Sequence, residues 1–175
     1  MSQTGQLDAV DISQALLDLT GEALISGDFE LFAGSFHVPQ HVATMGQVNF
    51  IETLTDLRRA FDALHQHFVD EGVTELRRNC VTAKYTSSTR IESSHVSEMM
   101  QGETWFKPPY PNFSVLEKID GHWKVTGGEY ALDKSDGQAI ALARADAKRR
   151  IENSTTEDEQ GLADQYAPPA QGKDQ

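Results

Sequence analysis

Two side chains in this sequence are candidates to move protons, His95 and Glu129. His95 is central in an alternating run that reads as a strand. One face of that strand would carry Ile91, Ser93, His95, Ser97 and Met99, the other Arg90, Glu92, Ser94, Val96, Glu98 and Met100. Neither face is cleanly apolar, so the strand borders a hydrated cavity or a dimer surface. An imidazole there is either a proton-transfer group near neutral pH or a hydrogen-bonded structural or interface residue. Glu129 shares a strand face with Trp123, Val125 and Gly127. Trp123 and Val125 are apolar, so that face is expected to be the inner one and Glu129 to point inward. Apolar surroundings raise a carboxyl pKa, which suits a general acid or base. At a strand's end it would instead stand in solvent or pair with a basic residue. Tyr85, on the face of Val81 and Ala83, either offers a hydroxyl to the cavity or packs with its oxygen at the rim. Tyr85, Trp123, Phe32 and Phe61 are the expected ligand-lining residues, with His95 and Glu129 as candidate catalytic groups.

Other constellations fail on geometry. His65 and His67 fall in a helical pattern, where residues two apart point about 200° apart and cannot chelate one ion. His37 and His41 have the i, i+4 spacing, but Pro39 between them blocks the helix that would make it useful. No metal site and no cofactor are therefore expected. There is no nucleophile elbow and no phosphate-binding glycine loop. Gly127-Gly128 reads as a bulge or a close backbone approach inside a strand. Cys80 reads as a small hydrophobe on a strand.

The elements that must position these groups follow from periodicity. Ile12, Leu16, Leu19 and Ala23 mark an amphipathic helix, with Asp11 and Gln14 as a cap pair and Gly27 as its end. Asp28 caps a short helix carrying Phe29, Phe32 and Phe36 on one face. Val42, Thr44, Val48 and Phe50 suit a hairpin around Gly46. Thr53 and Asp56 form a capping box before the clearest helix, with Leu57, Phe61, Leu64 and Phe68 on one stripe and Gly72 after it. From Val73 the period becomes two, giving strands near 75–87, 89–101, 112–120 and 122–132. Ser87–Ser88 and Asp120–Gly121 supply the turns. Trp105-Phe106 and the prolines Pro108, Pro109 and Pro111 cover a cavity mouth, turn a corner or contact a partner. Helices followed by long antiparallel strands predict an α+β domain with the helices on one face of a curved sheet. A last helix is expected over 133–152, capped by Ser135 and Gln138. Its apolar stripe is Ile140, Ala143, Ala147 and Ile151. Arg144, Lys148, Arg149 and Arg150 fall at its C-terminal end, where cations oppose the helix dipole. Residues 1–10 are expected to fray, and 153–175 to be a disordered acidic tail.

Composition sets outer limits. The chain has 175 residues and a formal net charge of -12, which argues against nucleic acid and anionic membrane as partners. The charge sits at the ends. Residues 58–150 hold fourteen basic and thirteen acidic side chains, while 1–57 hold eight acids and no Lys or Arg. The single Cys80 cannot form an intramolecular disulfide. The opening MSQTGQLDAVDISQ lacks the basic and apolar regions of a secretory signal, and no apolar run is long enough to span a membrane. The expected location is the cytoplasm.

With the elements laid out, the chain resembles the nuclear transport factor 2-like superfamily over about residues 11–132, and within it the SnoaL-like group. Ser26-Gly27-Asp28-Phe29-Glu30 resembles the family's small-Gly-Asp turn between the first two helices. Asp120-Gly121-His122-Trp123-Lys124-Val125 resembles its Asp-Gly-x-Trp-x-Ile/Val hairpin into the last strand. The resemblance implies a cone-shaped α+β barrel whose sheet curls around the long helix and leaves a cavity at the open end. It implies a small apolar or mildly polar ligand, and a homodimer through the outer sheet face. Some relatives are isomerases, dehydratases or cyclases, and others bind without catalysis. The ketosteroid isomerase site uses a tyrosine from the first helix, and this chain has none before Tyr85. Three readings follow: a ligand-binding domain, an acid/base enzyme using His95 or Glu129, and a dimeric interaction module.

Overall fold

The computed structural model describes residues 5–165, with side chains through residue 154. Helix α1 spans Ala9–Ser26. Its cap is Asp8, whose carboxylate accepts from the Val10 N–H, so the helix starts earlier than the Asp11 cap implied. Gly27 ends it in the left-handed region, with φ 78°. Asp28 caps α2, Phe29–Ala33. The hairpin β1, Gln40–Ala43, and β2, Val48–Ile51, leads into α3, Leu54–Asp70. The Thr53–Asp56 capping box is formed in both directions. Leu57, Ala60, Phe61, Leu64 and Phe68 form the buried stripe of α3.

The long strands are β3, Glu75–Ser87, β4, Arg90–Gln101, β6, Tyr110–Ile119, and β7, His122–Tyr130, with the short β5, Thr104–Trp105, on β4. Asp120 and Gly121 both have positive φ, the backbone that a tight two-residue hairpin demands. The first hairpin turn falls at Ser88–Thr89, one residue later than expected. The sheet order is β2-β1-β7-β6-β4-β3, antiparallel except for β1 against β7. The sheet curves but does not close, since β2 and β3 are its two edges. Helices α1 and α3 lie in its concavity, so the expected α+β class stands and the barrel is an open one.

The C-terminal helix departs most from expectation. Helix α4 spans Gly137–Gln165, well past residue 152. Polarity alone does not end a helix, and no proline intervenes before Pro168. The expected tail therefore begins as helix, and residues 166–175 lie outside the described residues. The start is capped by Asp136, which accepts from the Gln138 N–H at 2.9 Å, whereas Ser135 belongs to the preceding Asp133 turn. The buried stripe is Gln138, Ala139, Leu142, Ala145, Asp146 and Arg149, while Ile151 is exposed. Polar side chains hold this face down. Phe50 N–H donates to Asp146, Arg149 pairs with Asp146 and Glu52, and Arg150 pairs with Asp146. The basic cluster is thus mid-helix, and Arg149 and Arg150 in it are tied to acids. Among the described residues no helix is long and apolar enough to cross a membrane.

Candidate functional site

The concave face of the sheet holds two apolar clusters. One joins α2, α3 and α4 around Phe32, Phe61, Phe68 and Leu142. The other joins Ala9 and Ile12 of α1 to Ile91, Leu116 and Val125. Between them runs a buried polar belt. Strand pairing sets it out in two rows. Arg78, Ser97 and Tyr110 are aligned across β3, β4 and β6, and Cys80, His95, Asn112 and Tyr130 across β3, β4, β6 and β7. Asn112 Nδ2 donates to Ser97 Oγ at 2.7 Å, and Ser13 and Ser93 hydroxyls meet at 2.5 Å.

An internal cavity of about 50 Å³ opens between the belt and the larger cluster. Its walls are mainly apolar, with Phe32, Val42, Ile51, Leu57, Phe61 and Leu64 among them. Its polar groups are Arg78, Ser97, Tyr110, Tyr130 and Gln138. Leu142 and Gln138 bring α4 across one side. The Tyr110 hydroxyl donates to Gln138 Oε1 at 2.9 Å and fastens that side. Burial pushes the Tyr110 phenol above its ordinary pKa, so it stays a neutral donor.

Arg78 is the charge in this interior. It is 7% exposed. Its Nη2 donates to Leu17 O at 2.8 Å and to Thr20 Oγ1, both on α1, and its Nε–H meets no acceptor. No ion pair is formed by Arg78 among the described residues. Burial lowers its pKa, against Tyr130, Tyr110 and, least, Asp18 acting in the other direction, yet a guanidinium stays protonated in proteins. Gly21 lets β3 come this close, because a Cβ there would sit 3.1 Å from Leu76 O.

The expected site residues separate into two groups. Phe32 and Phe61 line the cavity. His95 lies in the belt beside it, 1% exposed, edge-on to Tyr130 with ring centroids 6.3 Å apart. Neither ring nitrogen has a partner. Burial first, and the Arg78 charge second, lower its pKa to about 3. Tyr85 and Trp123 belong to the second cluster, ring against ring at 5.9 Å, and the Tyr85 hydroxyl donates to Leu7 O. They pack the narrow end rather than the cavity. Tyr85 also keeps company with Ala83 but not Val81, which is an exposed bulge residue.

Glu129 is outside. Leu116 pairs with Val125, but Val115 pairs with Gly127, so Thr126 is an extra residue in β7. A bulge reverses the faces beyond it. Trp123 and Val125 point in before it, and Gly128 and Tyr130 after it, leaving Glu129 exposed beside Phe113. The Gly127-Gly128 pair did signal irregularity, but not its consequence for parity. His65 and His67 diverge as the helical angle requires. His65 Nδ1 lies 2.7 Å from Leu24 O on α1, and His67 lies against Gly137 of α4. Sequence reasoning missed Arg78, Tyr110, Tyr130 and Gln138. The signal for Arg78 was its place between Leu76 and Cys80 on the inner face of β3.

No family model and no curated protein matches the chain. Solved structures do. A domain of unknown function with a cystatin-like fold from Nostoc punctiforme aligns with a TM-score of 0.58 and 17% identity, over 89% of this chain and 99% of that one. An NTF2-like protein of unknown function from Shewanella oneidensis aligns at 0.55 and 18%, over 70% of this chain and 98% of that one. A protein from Shewanella frigidimarina, provisionally described as a ketosteroid isomerase, aligns at 0.51 and 16%, over 67% and 92%. At these identities the likeness is one of fold. The chain has the NTF2-like, cystatin-like fold.

Proposed function

We propose that this protein is a small-molecule-binding domain whose ligand occupies the cavity between α3, α4 and the concave face of the sheet. The observation that carries this reading is a largely enclosed, mainly apolar cavity with a few converging polar groups, Arg78, Ser97, Tyr110, Tyr130 and Gln138. Its size limits the guest. A cavity of about 50 Å³ is about a third of one that holds benzene. Binding is favoured over acid/base catalysis because His95, with a pKa near 3, is a weak base at neutral pH, and Glu129 faces away. Pressurised xenon tests the cavity directly. Methyl signals of Leu57, Leu64 and Leu142 should shift, those of Leu7 and Val81 should not, and Ala60→Leu should abolish the response. If the lining methyls stay fixed under xenon, the reading is wrong.

A further inference from the structure

We infer that the ligand is a monocarboxylate no larger than acetate, and that Arg78 binds its carboxylate. This rests on the cavity reading above and adds the ligand's charge and chemical class. Arg78 is more than nine-tenths buried, lines the cavity, forms no ion pair among the described residues and leaves its Nε–H without an acceptor. A buried charge is costly unless it is paired and hydrogen-bonded. Its contacts on α1, a backbone carbonyl and a hydroxyl, are neutral. They orient the guanidinium without neutralising it.

The rest of the cavity fits the same guest. Ser97 and Tyr110 stand in the same cross-strand row as Arg78, and Tyr130 in the next, so hydroxyl groups lie beside the cation. The opposite wall, Leu57, Phe61 and Leu64, is apolar and takes the methyl group. A guanidinium recognises a carboxylate through paired, charge-assisted hydrogen bonds, which a neutral isostere cannot return. The acids of the chain that could neutralise Arg78 internally stay away. Glu129 faces outward, and Asp18 acts on Arg78 only at a distance.

The experiment compares acetate with acetamide, which share size and shape but not charge. Binding to the full chain is read by methyl shifts of Leu57 and Leu142 and by calorimetry. Acetate should bind about 10- to 100-fold more tightly than acetamide, the range expected when one partner of a hydrogen bond carries charge. Arg78→Met should erase the preference, and Arg78→Lys should keep part of it. The wild-type comparison stands even if Arg78→Met fails to fold. Equal binding of acid and amide overturns the assignment of Arg78 and leaves the cavity reading intact. Failure of both probes while xenon still shifts the lining methyls does the same. Failure of xenon as well removes both.

Discussion

His95 should make this protein acid-sensitive in a way that can be isolated. The imidazole is 1% exposed, has no hydrogen-bond partner and is held to a pKa of about 3 by burial and by the Arg78 charge. In the unfolded chain it titrates at its ordinary value of 6.5. Between those values the unfolded state binds a proton that the folded state refuses, so stability falls as pH falls. The contribution is fully present above the unfolded value and is lost progressively below it, at about 1.4 kcal/mol per pH unit. From pH 7 to pH 5 the loss attributable to His95 is about 2 kcal/mol. Urea denaturation at both pH values would measure it, in wild type and in His95→Leu. Carboxylates titrate alike in both proteins, so the difference between the two pH dependences belongs to residue 95. At neutral pH the leucine variant should be close to wild type or more stable, because two unpartnered nitrogens are removed. The imidazole carbon signals should stay those of a neutral ring down to about pH 5. Parallel pH dependences, or a ring that titrates near 6.5, would refute the reasoning.

Two further outcomes test the architecture. Tyr130→Ala should cost about 2 kcal/mol or more by urea midpoint, because Tyr130 faces inward beside the cavity, whereas Glu129→Gln should change stability by less than about 0.5 kcal/mol. The reverse ranking would mean that β7 runs without its bulge at Thr126. Gly137→Ala should loosen α4, since an added Cβ there meets the half-buried His67 ring. A cost of about 1–3 kcal/mol is expected, with faster amide exchange over 138–149 but not in α1. Unchanged exchange there would show that α4 does not depend on this close approach.

Much of the fold was legible because local rules and the fold agreed. The Thr53–Asp56 box, the Gly27 terminus and the Asp120–Gly121 turn each need one backbone geometry, and their residue types supply it. That Phe32 and Phe61 line the cavity was legible for a similar reason, since an apolar helical stripe facing a sheet must border whatever space the two leave. What misled was parity. Alternation gives the face of a strand residue only while the register holds, and the shifts at Val81 and Thr126 each break it. The stripe of α4 was misread because its buried face mixes Ala139, Leu142 and Ala145 with Gln138, Asp146 and Arg149. Hydropathy alone cannot rank such a face as interior, because those polar groups are paired by partners distant in sequence.

The bulge at Thr126 also decides the electrostatics of the interior. Without it, the face that begins with Trp123 and Val125 would continue through Gly127 to Glu129, and a carboxylate would enter the space that Arg78 lines. Carboxylate and guanidinium would pair, lowering the acid's pKa and removing the buried charge's demand for a partner. With Thr126 bulged out, Tyr130 takes that place and meets His95 edge-on instead. The interior then holds a cation, a neutral imidazole and several hydroxyls, with the acid on the outer face. The bulging of Thr126 out of the ladder, rather than its pairing in step, therefore separates a closed ion pair from a guanidinium left available to an acidic guest. Deleting Thr126 removes the bulge together with the extra residue and leaves every pairing on either side intact, so Glu129 should stay outside, Tyr130 inside, and any preference for acetate over acetamide should survive.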